Sequence, residues 1–201
     1  MARPYILVLY ASTTGHTKRL AEIIQRGIRM VPGVDVHLRT VPSVDQLLAG
    51  VESPEAGAPF VTVEELAGAS GLALGSSTRF GNMAASLQIF LEKTSGLWFK
   101  GLLVDKPVSV FTASSSMHGG QETTLMNMIT PLLHHGMVVV GVPYTVAELG
   151  KTTTGGTPYG ASHVSGPDGG RECDDHEHAI ALAQGKRLAK IAKALHKMPS
   201  E

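Results

Sequence analysis

The stretch Ile6-Leu-Val-Leu-Tyr-Ala-Ser-Thr-Thr-Gly-His-Thr17 decides how this chain reads. Ile6 to Tyr10 is a continuous apolar run of strand length, the pattern of a parallel strand covered on both faces. Ser12, Thr13, Thr14, Gly15, His16 and Thr17 follow, four hydroxyls and a glycine placed where a helix should begin. From Thr17 to Arg29, Leu20, Ile23, Ile24, Gly27 and Ile28 recur at helical spacing, with Lys18, Arg19, Glu22, Gln25 and Arg26 on the other side. Hydroxyls and free N–H groups at the positive end of a helix dipole suit a small phosphate. No Lys or Arg precedes Lys18, so the expected recognition is by neutral donors. Ordinary N-capping by Ser and Thr is the other reading of the same residues.

Outward from this unit, Gly33 is expected to end the helix, and Val34, Val36 and Leu38 alternate with polar residues as in a half-exposed edge strand. Gly71–Leu74, Val108–Ala113 and Met137–Val142 read as three further strands, with helices near 84–93 and 123–135 between them. A last amphipathic helix is expected from about Asp174 to His196. Five strands alternating with helices predict a doubly wound α/β sheet in three layers, α/β/α. Pro42–Pro59 and Gly150–Arg171 carry no apolar period and read as long loops, which in a compact domain are usually functional or disordered.

The chain has 201 residues, the size of one large domain able to bury about 70% of its unfolded surface. Lys+Arg and Asp+Glu balance at 17 each, so bulk charge excludes collecting nucleic acid or an anionic membrane. A single cysteine, Cys173, excludes an internal disulfide and fits a reducing cytoplasm. No run approaches the roughly 18 apolar residues of a membrane span, and a soluble chain is expected. Charged residues at 17% and a mean hydropathy of +0.10 are apolar values that suggest a subunit interface.

In an open α/β sheet, ligands bind at the carboxyl ends of the strands. The loop after the third strand, Gly75–Asn82, offers Thr78 and Arg79 as donors, Gly81 for close backbone approach and Asn82 as a cap for the next helix. Neither a nucleoside-triphosphate loop nor a G-x-G-x-x-G dinucleotide loop is present. Ser12-x-Thr-Gly-x-Thr17 instead resembles the phosphate loop of flavodoxins.

Thr78-Arg-Phe-Gly-Asn-Met83, Gly96-Leu-Trp98, Gly119-Gly-Gln-Glu122, His134-His-Gly-Met137 and Gly155-Gly-Thr-Pro-Tyr-Gly-Ala161 are similar, in order, to the motif series of the WrbA family. The resemblance runs from Ile6 to about Ala194. It implies a flavodoxin-like NAD(P)H:quinone oxidoreductase, a single FMN-binding domain over residues 1–198, and a homotetramer with FMN near subunit boundaries. It carries the phosphate loop onto Ser12, Thr13, Thr14, Gly15, His16 and Thr17, and the flavin-ring loop onto Thr78, Arg79 and Phe80, beside Gly81 and Asn82. The third flavin loop falls on Ser114, Ser115, Ser116, Met117, His118 and Gly119, the substrate-side aromatic on Trp98, and the flavin-site histidine on His134. The chain departs from some members at Thr14, where they carry tyrosine, and at Ser77, where they carry proline.

The implied activity is two-electron transfer from NADH or NADPH through FMN to a quinone. Donor and acceptor would take turns on one open flavin face in a ping-pong cycle, with Phe80, Trp98 and His134 around the quinone. On residues alone, His134 and His135 are better read as a helix end, a reading that the resemblance reverses for His134, and Trp98 equally suits a core or interface. A flavodoxin-type electron carrier and a regulatory scaffold with weak FMN binding are the rival functions, although a net charge of 0 argues against the acidic docking face of a carrier. Cys173-Asp-Asp-His-Glu-His178 gathers metal-ligand types, but His176 and His178 are two apart and diverge on a helix, so no metal site is expected.

Overall fold

The computed structural model describes residues 3–196; residues 1, 2 and 197–201, and so both limits of the expected 1–198 domain, lie outside that range. Six parallel segments form one sheet: β1 (Tyr5–Ala11), β2 (Asp35–Thr40), β3 (Gly71–Ser77), β4 (Pro107–Ser114), β5 (Val138–Val139) and β6 (Gly160–Val164). Their order is β2-β1-β3-β4-β5, with β6 also on β4, which is the flavodoxin-like doubly wound sheet that the alternation predicts.

The apolar run of β1 is explained by its alternation between two cores. Ile6, Val8 and Tyr10 face α1 (His16–Arg29) and α7 (Asp175–Leu195). Leu7, Leu9 and Ala11 face α4 (Ala85–Glu92) and α6 (Gln121–His134). A strand covered on both faces has no polar side, so its sequence shows no period. Helices α1 and α7 touch backbone to backbone. A Cβ on Gly27 would lie 2.2 Å from the Leu182 carbonyl oxygen, and one on Gly185 would lie 2.2 Å from that of Ile24.

Several expectations need correction. The fifth strand, expected over Met137–Val142, is two residues long and pairs only with Pro107 and Val108. Val140 still donates to the Val108 carbonyl, but Val142 turns to Pro158, and Pro143 has no N–H with which to continue. The ladder along the rest of β4 is filled by β6, which pairs with Val110–Ser114 and lies inside the stretch expected to be loop. It begins at Gly160, shortly after Gly155 and Gly156, and this glycine-rich setting hid the strand. The Pro42–Pro59 connection holds a short helix, α2 (Val44–Leu48), and α3 (Val63–Gly68) follows it. Trp98 belongs to a separate short helix, α5 (Ser95–Phe99). The first helix ends at Arg29, with Gly33 (φ 85°) in the turn beyond it.

Candidate functional site

Helices α2, α3 and α7 each begin with a closed capping box, on Ser43, Thr62 and Asp174. Helices α1 and α6 do not. Each starts on a left-handed glycine, Gly15 (φ 91°) and Gly120 (φ 92°), with no side-chain cap. An L-residue with a Cβ is strained at these angles, and glycine supplies no acceptor, so the first N–H groups of both helices are left for something other than the chain's own side chains. This decides between the two readings of Ser12–Thr17. The hydroxyls do not cap α1; Ser12 Oγ accepts from the Gly15 N–H at 3.1 Å and shapes the loop instead.

Buried polar atoms point the same way. Thr17 Oγ1, on a residue 1% exposed, has no hydrogen-bond partner, and neither has His16 Nδ1. Leaving a buried hydroxyl unpaired costs about 1 to 3 kcal/mol, a cost that a ligand oxygen would remove. A cleft of about 330 Å³ lies here, walled by Ser12, Thr13, Gly15 and Lys18 on one side and by Ser43, Gln46 and Phe60 on the other. The donor set fits a phosphate such as that of FMN: amides and hydroxyls at a positive helix end. It is not wholly neutral, however. Arg79 reaches across from the loop after β3, its Nη2 donating to Thr13 Oγ1 at 3.0 Å, a cation that sequence order does not place there.

The flavin-ring loop is a tight reversal. Arg79 and Asn82 exchange backbone hydrogen bonds of 2.8 and 3.0 Å, with Phe80 (φ 52°) and Gly81 (φ 76°) between them in the left-handed region. Positive φ is costly for phenylalanine, and the turn holds its ring fully in solvent. Thr78 is anchored behind it, its Oγ1 3.2 Å from the hydroxyls of both Thr112 and Thr124. Asn82 does not cap α4, contrary to expectation. The cap position is Ala84, whose N–H donates to Ser76 Oγ, while Asn82 Oδ1 accepts from Met83 N.

The third loop, Ser114–Gly119, is exposed at Ser115, Ser116, Met117 and His118. It is organised by Gln121, whose Nε2 donates to Ser114 Oγ and to the Ser116 carbonyl, both at 2.7 Å. The Gly119–Glu122 motif includes Gln121, but a glutamine at a helix start carries no signal of this loop-organising role. The third and second loops meet at backbone level, where a Cβ on Gly120 would lie 3.0 Å from Gly81 Cα. The structure therefore gathers Ser12–Thr17, Thr78–Asn82 and Ser114–Gly119 at the carboxyl edge of the sheet.

His134 and Trp98 are elsewhere. His134 ends α6, whose fourteen residues span about 21 Å from the third loop, and β5 beyond it pairs with the first residues of β4. His135, its buried neighbour, sits 2.9 Å through Nε2 from Thr94 Oγ1, and Trp98 N donates to the Thr94 carbonyl. Both expected substrate residues thus lie at the amino edge of the sheet, solvent-exposed and away from the three loops of their own chain.

Behind the phosphate loop lies a buried ionic group. Glu177, fully buried, accepts from the N–H of Gly155 (2.8 Å), Val164 (3.1 Å) and Asp174 (3.2 Å), from Arg171 Nη1 (3.0 Å), and faces His163 Nδ1 (2.9 Å). Burial works to raise its pKa, but these hydrogen bonds from His163, Arg171 and Val164 hold it below the usual carboxylate range. Cys173 joins His163 and Glu177 with ligand atoms within 4.8 Å. The Glu177 oxygens are already committed and burial pushes the Cys173 thiol up to about 12, so this cluster is poorly suited to a cation.

The sequence profile of the family described as NADPH-dependent FMN reductase matches residues 4–152. An NAD(P)H dehydrogenase (quinone) of Geobacter sulfurreducens is 45% identical over 202 residues, covering 95% of this chain and 98% of the relative. Among solved structures, a flavodoxin, WrbA-like protein of Agrobacterium tumefaciens superimposes with a TM-score of 0.66 at 21% identity, covering 95% and 98% of the two chains. Rubredoxin oxygen:oxidoreductase of Desulfovibrio gigas gives 0.65 at 13% identity, over 98% of this chain but 38% of its own. These last two similarities concern the fold.

Proposed function

The chain belongs to the NADPH-dependent FMN reductase family, and on that premise we propose that it is an FMN-dependent NAD(P)H:quinone oxidoreductase acting as one domain over residues 1–198. The observation that carries the reading is the pair of uncapped helix starts at Gly15 and Gly120, with the unpartnered Thr17 hydroxyl between amides that no side chain satisfies. When bound, FMN supplies the hydride acceptor for NADH or NADPH and the two-electron donor for a quinone.

The residues divide the work. Ser12–Thr17 bind the phosphate through amides and hydroxyls, and Arg79 links this loop to the ring-binding turn. Thr78–Asn82 and Ser114–Gly119 hold the isoalloxazine edges, with Phe80 presented to substrate. His134 and Trp98 complete the site from another copy: imidazole to donate to a quinone oxygen, indole to stack on its ring. A homotetramer, as in the resemblance, meets this need. The apolar side chains exposed around Trp98 support it, including Phe99, Leu102 and Leu133. A cytoplasmic setting suits the single, largely shielded cysteine. No described helix is long and apolar enough to cross a membrane.

Stopped-flow separates the half-reactions. His134→Leu, loaded with FMN, should keep the rate of flavin bleaching by NADH and lose about tenfold or more in reoxidation by benzoquinone. Trp98→Ala should mainly raise the quinone KM. FMN bound without NAD(P)H consumption in the presence of quinone would leave an electron carrier; no FMN binding would leave a scaffold.

A further inference from the structure

The phosphate loop lacks a lysine or arginine before Lys18, and the guanidinium that reaches it, Arg79, is engaged with Thr13 Oγ1 and the Thr78 carbonyl. One more titratable group belongs to the loop itself. His16 directly follows Gly15 and opens α1; it is 8% exposed, and its Nδ1 has no partner. Its ring lies on that of His163, centroids 5.3 Å apart and planes tilted by 35°, with Gly169 against Nε2.

His163 is fully buried in β6, and both its nitrogens face acceptors: Nδ1 the Glu177 carboxylate at 2.9 Å, Nε2 the Arg171 carbonyl at 3.2 Å. The His163 ring is thus held at both nitrogens by oxygen atoms, Glu177 on one side and the Arg171 carbonyl on the other. We propose that His16 is the proton-dependent cationic partner of the FMN phosphate, taking up a proton as the dianion settles on the loop, and that the His163–Glu177 pair sets the pH at which it does so. The inference rests on the proposed FMN site and adds to it a cation beside Arg79 and Lys18.

The electrostatic surroundings single out His16. The charged groups that act on it are His163 on β6, Arg19 on α1 and Glu172 on the segment before α7. Arg19 is paired with Glu172, and Arg171 with Asp174 and Glu177. The Cys173 thiol stays protonated. In the free chain, burial first, then the His163 and Arg19 charges, lower the pKa of His16 and keep it neutral. A phosphate dianion held by this loop would oppose those charges and raise it.

The test is calorimetric titration of FMN into the full apo-chain, in buffers of differing ionisation enthalpy. At pH 7.5 and above, free FMN is already a dianion, because its second phosphate pKa lies near about 6, so net uptake reports on the protein. The wild type should take up a sizeable fraction of one proton. Its FMN Kd should rise by more than about twofold per pH unit between roughly pH 7 and 8.5, toward the tenfold limit of one proton. His16→Gln should bind FMN with no uptake and a flat Kd profile. His163→Gln, which leaves His16 in place, should move the uptake window upward in pH, because the His163 charge that lowers the His16 pKa is removed. That second variant decides if His16→Gln fails to fold. FMN binding without proton uptake, or uptake that survives in His16→Gln, overturns this inference alone. A wild-type chain that binds no FMN overturns the functional reading and this inference with it.

Discussion

The two edges of the sheet are built from opposite materials. At the carboxyl edge, hydroxyls, glycines and uncapped helix starts form three loops that leave donors unpaired, backed by the buried Glu177 network. At the amino edge, Trp98, Phe99, Leu102, Val104, Leu133 and Val138 expose apolar surface around His134. The polar edge leaves helix-start N–H groups without side-chain caps; the apolar edge leaves large hydrophobic side chains in solvent. The residues expected to share one quinone site are divided between them, so the surface chemistry of each edge states what it still needs.

The largest test removes the support beneath the polar edge. Glu177→Ala leaves Arg171, His163 and three N–H groups without their acceptor in a buried place, and should cost about 3 to 5 kcal/mol in urea unfolding. A loss under about 1 kcal/mol would mean that the network is relaxed by water and does not scaffold the loop.

Next comes the apolar edge. Phe99 is 85% exposed, so Phe99→Glu should leave the stability of a single chain within about 0.5 kcal/mol. It should weaken association by about 2 to 4 kcal/mol, seen in light scattering as a fall toward 21.2 kDa at micromolar concentration. Quinone reduction should fall with the mass while FMN binding persists. A monomeric variant with full turnover would show that one chain carries a complete site after all.

The smallest effect sharpens the polar edge itself. Thr17→Val removes a hydroxyl that has no partner in the free chain, so folding stability should hold or rise slightly, while FMN affinity falls by about 1 to 3 kcal/mol. Fluorescence quenching of FMN measures the second and urea unfolding the first. Equal losses in both would make Thr17 a structural hydroxyl.

Much of this was legible in the residues. The two-sided run of β1, the period of α1 and the order of strands follow from hydrophobic periodicity, a local property. The three loops were found because ligands gather at the carboxyl ends of such strands. The β5–β6 division was not legible, since Pro143 ends one pairing and a glycine-flanked segment 17 residues further on resumes it, a long-range exchange of hydrogen-bond partners with no local period. The Arg79–Thr13 contact was invisible for the same reason, since it joins two loops far apart in sequence, whereas the Gln121 bonds are local and were hidden because glutamine is not unusual at a helix start.

By itself the sequence determined the class of the molecule: an α/β sheet with a hydroxyl-rich loop on its first strand, no excess charge and a motif series similar to a flavoprotein family. Only the tertiary structure decided that the hydroxyls of Ser12–Thr17 do not cap α1, because Gly15 takes the left-handed cap position. It also decided that His16 rests on the buried His163 ring, and that His134 and Trp98 lie at the far edge from Ser12–Thr17, Thr78–Asn82 and Ser114–Gly119. Propensity and period act over a few residues. Charge pairing and proximity act through space, and they exist only once the chain has folded.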